Sequence, residues 1–261
     1  MIDPAIRDHV VTWLRQIEAE AGVRVLYAAE SGSRAWGFAS PDSDYDVRFI
    51  YAHPRDWYVT LNEARDVIER PLDAQLVDLA GWDVRKALRL LLKSNPALYE
   101  WLASPIAYLD DGRFRAAAEP LFARHASAVA LAHHYHSIAR GQWRSEIEGN
   151  DAVKLKKYFY VVRPLLSLQW VADFGSVPPM NMAELMQRSP MPGDVRRTID
   201  ELLRLKRETP ELGRGSRNAT IDAWALERLE ALRPDRLELA PCEQTRSAAD
   251  ADQLFRDTVG F

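Results

Sequence analysis

Residues 30–47 read Glu30-Ser31-Gly32-Ser33-Arg34-Ala35-Trp36-Gly37-Phe38-Ala39-Ser40-Pro41-Asp42-Ser43-Asp44-Tyr45-Asp46-Val47, a polar, turn-rich stretch between two apolar runs. The run before it, Val23 to Ala29, reads as a buried strand, and Val47-Arg48-Phe49-Ile50-Tyr51 after it as a second. Gly32 has no side chain to hold a phosphate away from the backbone. Ser33 offers a hydroxyl and a backbone N–H to phosphate oxygens. Asp44 and Asp46 flank Tyr45, so on an extended chain both carboxylates fall on one face. Two such carboxylates suit magnesium, which takes hard oxygen ligands and leaves room for substrate phosphates. Taken singly these are ordinary turn features, since Gly-Ser pairs and Asp-x-Asp usually mark solvated turns. Their order, strand to Gly-Ser turn to paired aspartates to strand, is specific.

Outward from that stretch, Asp3 and Pro4 open a helix whose apolar stripe is Ile6, Val10, Trp13, Leu14 and Ile17, and Gly22 closes it. Ala74 to Leu79 reads as a third strand, with Val67 to Glu69 as a short partner, and Asp83 to Leu92 as a helix broken by Asn95-Pro96. From Asp111 helical patterns take over: Phe114 to His125, Val129 to Gly141, Ala152 to Val171, Asp194 to Lys206 and Ile221 to Leu232. Strands followed by helices predict an α/β chain, with a small mixed-sheet domain over residues 1–110 and an all-helical domain over 111–261.

With 47% hydrophobic and 28% charged residues, the 261-residue chain has the balance of an ordinary globular protein. No apolar run reaches the roughly 18 residues of a membrane span, and no secretory signal opens the chain. The single cysteine, Cys242, excludes an internal disulfide and a multi-cysteine zinc site, so a reducing cytoplasm is expected. The net charge of −4 speaks against simple coating of nucleic acid. Its distribution is uneven: residues 1–110 carry 12 Lys+Arg against 17 Asp+Glu, residues 111–217 carry 17 against 12, and residues 218–261 carry 5 against 9. A positive middle suits a polyanion, although ordinary solvated surface gives imbalances of the same size. His133, His134 and His136 lack a carboxylate partner and make a poor zinc site.

The 30–47 stretch resembles the signature of the DNA polymerase beta-type nucleotidyltransferase superfamily. Within it the chain is similar to the small predicted nucleotidyltransferases associated with RNA repair and RNA ligase genes. Two further stretches carry that likeness, Gly81 to Leu88 leading to Lys93-Ser94-Asn95-Pro96, and Lys154 to Tyr160 followed by Arg163-Pro164-Leu165-Leu166. The resemblance runs from about residue 25 to about residue 185 and leaves the tail uncovered. It implies a third carboxylate from a neighbouring strand, acting as metal ligand or general base. Asp78, after Leu76-Val77, fits better than Asp73, which follows Pro71 and looks like a turn residue.

The resemblance also implies that the Ala152 to Val171 helix closes over a nucleotide, with Lys157, Tyr160 and Arg163 beside Gly32, Ser33 and Arg34 as nucleotide-binding residues. Helix charge runs are usually solvated surface, but the family pattern favours the functional reading for Lys157 and Arg163, while Tyr160 reads as easily as core. The expected cofactor is two Mg2+ ions (Mn2+ as a substitute) on Asp44, Asp46 and Asp78. The expected reaction is transfer from a nucleoside triphosphate, ATP among them, to an acceptor hydroxyl. An RNA 3′ end is the expected acceptor, with Arg140, Arg144, Lys154, Lys156 and Lys157 for its phosphates and Trp143 and Tyr158 for stacking on bases. Nucleotidylation (AMPylation) of a partner protein or small molecule, and a catalytically silent RNA- or nucleotide-binding protein on the same fold, are the alternatives.

Overall fold

Asp3 accepts a hydrogen bond from the Ala5 N–H at 2.8 Å, Pro4 fills the first turn, and helix α1 (Pro4–Ala21) runs until Gly22 turns left-handed at φ 62°. Its apolar stripe is buried at Val10, Leu14 and Ile17, with Ile6 and Trp13 partly covered. The computed structural model describes residues 2–62, 64–209, 212–240 and 247–260, and Cys242 lies outside them. Among the described residues no helix is long and apolar enough to cross a membrane.

Strand β1 (Arg24–Glu30) leads into a single helical turn, α2 (Gly32–Ala35), and β2 (Tyr45–Ala52) returns antiparallel to β1 with Glu30 opposite Val47. Strands β3 (Val67–Arg70) and β4 (Val77–Asp83) follow, then helices α3 (Val84–Leu92) and α4 (Pro96–Leu102) and strand β5 (Ala107–Asp110). The sheet order is β3-β4-β2-β1-β5, with β2 and β4 parallel and the other pairs antiparallel. Alternation along β2 turns Val47, Phe49 and Tyr51 towards the core under α1 and leaves Asp46 and Arg48 on the opposite face. On the β1 strand, Tyr27 donates its hydroxyl to the Trp101 carbonyl of α4 at 2.9 Å.

The predicted third strand begins later than its apolar content suggests. Ala74 to Leu76 form the turn and Trp82 belongs to the strand, so α3 is capped by Asp83, whose carboxylate accepts from the Arg85 N–H at 2.8 Å. Helices α5 (Phe114–His125), α6 (Ala128–Gln142), α7 (Lys157–Phe174), α8 (Met182–Arg188), α9 (Gly193–Glu208), α10 (Ala219–Ala231) and α11 (Ser247–Val259) make up most of the rest. The predicted helix from Ala152 starts five residues late. Ala152–Lys154 is strand β6, paired with β7 (Arg214–Ser216), so Lys154 and Lys157 do not share a helix face and the second half of the chain is not all-helical.

The chain also divides at points other than residue 110. One unit comprises Met1–Ala35, Asp44–Ala126 and Glu243–Phe261; the other comprises Trp36–Ser43 and Ser127–Cys242. Helix α5 stays with the sheet unit because it packs on α4, α11, α3 and β1, and α11 returns to the same unit, with Phe255 edge-on to Tyr58 at 5.1 Å. In the helical unit the core gathers Phe38, Tyr158, Phe159, Leu165, Leu185, Ile199, Leu203 and Trp224.

Gly81 on β4 lies opposite Phe49 on β2, and a Cβ there would overlap the fully buried Phe49 ring. Gly81→Ala is therefore expected to destabilise by about 1–3 kcal/mol, as forced overpacking does. Urea unfolding should show a lowered midpoint at unchanged slope; a parental midpoint would mean that the ring moves aside freely.

Candidate active site

Tyr45, the first residue of β2, puts its N–H on the Leu76 carbonyl at 2.7 Å, and this fixes the parallel register that follows. Asp46 lies opposite Asp78 as a result, on the face away from α1. Arg48, two residues further along β2, spans both carboxylates: its guanidinium is 3.0 Å from Asp46 Oδ1 and 2.8 Å from Asp78 Oδ2. It also donates to the Val47 and Asp78 carbonyls. Burial pushes the Asp46 carboxyl above its ordinary range, and the negative charges of Asp78 and Asp44 add to this against the pull of Arg48. Asp44 is exposed, just before β2, and its carbonyl accepts from Arg34 Nε at 3.2 Å while the Arg34 guanidinium lies 3.9 Å over the Tyr45 ring.

Gly32 stands at φ 57°, and a Cβ built on it would overlap Asp46 Oδ2 and lie 2.9 Å from Asp46 Cγ. The glycine is needed so that this carboxylate can lie against the turn, a closer reason than the phosphate approach expected from the sequence. Ser33 is buried, and the Ser31 N–H donates to the Asp46 carbonyl at 2.8 Å, which ties the turn to β2. Asp73 is elsewhere. It holds the turn before β4, accepting from the Gln75 and Val77 N–H groups, and pairs with His9 at 2.6 Å. Burial works to raise its carboxyl, but the His9 and backbone hydrogen bonds outweigh that and hold it below the usual range.

Two residues that the sequence reading passed over belong here. Arg48 reads as one more strand residue, and only the β2–β4 register shows that it faces two carboxylates. Glu30 is fully buried at the end of β1. One carboxylate oxygen accepts from the Asp46 N–H at 3.1 Å and the other from the Tyr108 hydroxyl at 2.6 Å, so Glu30 fixes the backbone of Asp46 from below. Burial raises its pKa to about 7, the hydrogen bonds from Tyr108 and Asp46 only partly opposing this.

The remaining expected residues lie in the helical unit. Lys157 pairs with Glu146 at 2.9 Å and lies 5.5 Å from the Tyr160 ring centre. Tyr160 meets Trp36 edge-on at 5.9 Å. Arg163 is buried, donating to the Met180 carbonyl at 3.1 Å and lying 4.4 Å over Trp36. Tyr160 and Arg163 thus pack against Trp36 of the loop 36–43, and Lys157 lies beside Tyr160. Trp143 and Tyr158 are 3% and 1% exposed, so neither is open to stack on a base; Tyr158 instead donates to Asp222 at 2.9 Å.

As a metal site the arrangement offers two hard carboxylates in register, and magnesium characteristically binds through one or two carboxylates plus substrate phosphates. Among the described residues no three His, Cys, Asp or Glu side chains converge on a point that could hold a metal ion. Asp46 and Asp78 fit such an ion as a pair, and Asp44 contributes to the field at Asp46.

A Gly-Ser turn beside in-register aspartates on a mixed sheet is the arrangement expected of a nucleotidyltransferase. The chain belongs to the RNA repair pathway DNA polymerase beta family (RlaP), whose model matches residues 6–257. That match takes in the tail as well. The chain is 38% identical over 254 residues to a protein of Bacillus subtilis (strain 168) called "Uncharacterized protein YcgL", covering 97% of this chain and 96% of that one. A crystal structure of a nucleotidyltransferase-like protein from Exiguobacterium sibiricum 255-15 aligns over 93% of this chain and 77% of its own, at 13% identity and a TM-score of 0.28.

Because the folded-state pKa of Glu30 lies above the ordinary 4.5, the fold favours its protonated form. Its contribution to stability is full below about pH 4.5 and is lost as pH rises through about 7. Glu30→Gln keeps an acceptor for the Asp46 N–H and does not ionise. The stability of the variant relative to the parent should therefore rise by about 1–3 kcal/mol between pH 5 and pH 8 in urea unfolding. A flat difference would show that Glu30 ionises at no cost.

Proposed function

We propose that this protein is a magnesium-dependent nucleotidyltransferase that transfers a nucleoside monophosphate from a nucleoside triphosphate to the 3′-hydroxyl of RNA. The observation that carries the reading is the pairing of Asp46 with Asp78 across parallel strands, directly beside the Gly32-Ser33 turn. Asp46 and Asp78, with Asp44 adjoining, would hold the metal. Bound magnesium would supply charge neutralisation for an in-line displacement at phosphorus.

The chain's own groups have distinct tasks. The Gly32 and Ser33 N–H groups and the Ser33 hydroxyl bind the β and γ phosphates, leaving the α-phosphorus towards the aspartates. Arg34, held over Tyr45, adds positive charge at the same turn. An oxygen–phosphorus bond forms from the acceptor hydroxyl, the bond to the β-phosphate oxygen breaks, and pyrophosphate leaves. The hydroxyl proton passes to a carboxylate, and Asp78 is the one assigned here. Glu30 and Arg48 position Asp46 without touching the reacting atoms. An RNA acceptor is supported by the family description and by the net +5 of residues 111–217 (17 Lys+Arg against 12 Asp+Glu).

Asp46→Ala should lower transfer by orders of magnitude while the thermal midpoint stays near that of the parent, because a metal ligand is lost from a half-exposed position. Asp78→Asn should impair turnover far more than Asp73→Asn; the reverse ranking would move the third carboxylate to Asp73.

The acceptor is tested with labelled triphosphates, each in turn, and an RNA oligonucleotide with a free or blocked 3′ end across a salt series. Label is expected only on the free end, and less of it as salt rises, since counterions are released on binding. Labelling that persists on the blocked RNA, or that falls only on protein in a cell extract, overturns the RNA 3′ end.

A further inference from the structure

Helix α6 does not end as an ordinary helix. The Glu148 N–H reaches back five residues to the Trp143 carbonyl at 2.9 Å, and Trp143–Ile147 is a π-helical turn, an arrangement often found at functional sites. His136, Arg140 and Arg144 follow one another at intervals of four, and all three line a half-open cavity of about 440 Å³. That volume lies within the range of small-molecule and nucleotide pockets. Leu226, Leu229 and Pro234, from α10 and the short turn after it, form the apolar part of the lining, and buried Trp143 belongs to it too.

The charges in this cavity are unevenly matched. Asp235 pairs with Arg233 at 2.9 Å, and Glu230 pairs with Arg236 at 2.7 Å. Among the described residues nothing engages the guanidinium of Arg140 or of Arg144, and Glu148 is the one remaining lining carboxylate. His136 donates Nε2–H to the Leu229 carbonyl at 2.9 Å, since a carbonyl only accepts, and Nδ1 is left as the second polar atom of that ring. Among the described residues the buried Trp143 indole N–H has no hydrogen-bond partner. Two guanidiniums about one helical turn apart match the oxygens of a phosphate. An apolar wall beside them matches the face of a base.

We propose that this cavity, formed by α6, α10 and the turn after α10, seats one nucleotide unit of a single RNA strand, with its phosphate held by Arg140 and Arg144 and its base against Leu226 and Leu229. The proposal deepens the RNA-acceptor reading and rests on it for the identity of the ligand. It replaces stacking on Trp143, which is buried, with an apolar contact at the pocket wall.

The test measures binding alone. A 5′-labelled single-stranded RNA is titrated into the full chain by fluorescence anisotropy, with a metal chelator, without triphosphate, and across a salt series. Arg140→Gln/Arg144→Gln should weaken RNA about tenfold or more and flatten the salt dependence by one to two counterions. A matched control, Arg197→Gln/Arg207→Gln, removes the same charge from exposed positions of α9 and should stay within about twofold of the parent. Unchanged RNA affinity in the first pair, or equal weakening in both, overturns the pocket. Adenosine monophosphate binding that depends on the two arginines while RNA binding does not would overturn the strand in favour of a free nucleotide. Arginine-dependent RNA binding supports the pocket even if no RNA end is ever labelled, so a failure of the transferase reading is told apart from a failure of this one.

Discussion

Two carboxylates set side by side on neighbouring strands repel each other, and partial burial adds a desolvation cost to each. The register of β2 against β4 imposes this arrangement on Asp46 and Asp78, and Arg48 is what makes it tolerable, with one guanidinium within 3.0 Å of both. The surrounding structure follows from keeping that trio in place. Glu30 accepts the Asp46 N–H from beneath, Tyr108 occupies the other Glu30 oxygen, and Gly32 gives up its side chain so that Asp46 has room.

The chain between the Gly32–Ala35 turn and Asp44 belongs to the other unit. Residues 36–43 belong to the helical unit, whereas Gly32–Ala35 before them and Asp44 after them belong to the sheet unit. Trp36 is clamped by Arg163 and Tyr160, its carbonyl accepts from the Met182 N–H, and Phe38 packs on Phe159 at 5.1 Å. A Cβ at Gly37 would crowd the Asn181 amide. Within the helical unit, then, the loop is held by side chains on several sides and by the Met182 N–H on the Trp36 carbonyl.

What the sequence made readable follows from the range of the forces involved. Asp3-Pro4 and Gly22 mark α1 because caps act locally, and the strand Val47 to Tyr51 shows because β geometry repeats every second residue. Glu30 could not be read in the same way. A glutamate at the end of a strand looks solvated, and only the Tyr108 hydroxyl, 78 positions away, explains its burial. Strand β6 was hidden because its partner, Arg214-Gly215-Ser216, has no apolar residue; the pairing is one of backbones, and Gly215 lets Leu155 approach. Strand β5 is too short to show a period. Arg163 looked like a cleft residue because an arginine's burial is set by which carbonyl receives it, here that of Met180.

Helix α11 lies on α3 and α5, and Arg24 of β1 donates to its Thr258 carbonyl at 2.8 Å. The sheet unit is thus completed by a segment that leaves the ribosome only after the whole helical unit has been made. Until then the flanks of α3 and α5 that α11 covers stand open to solvent, with Tyr58 lacking the ring of Phe255 against it. During synthesis the half of the molecule that carries the carboxylates is therefore the later of the two to close, although its strands are translated first.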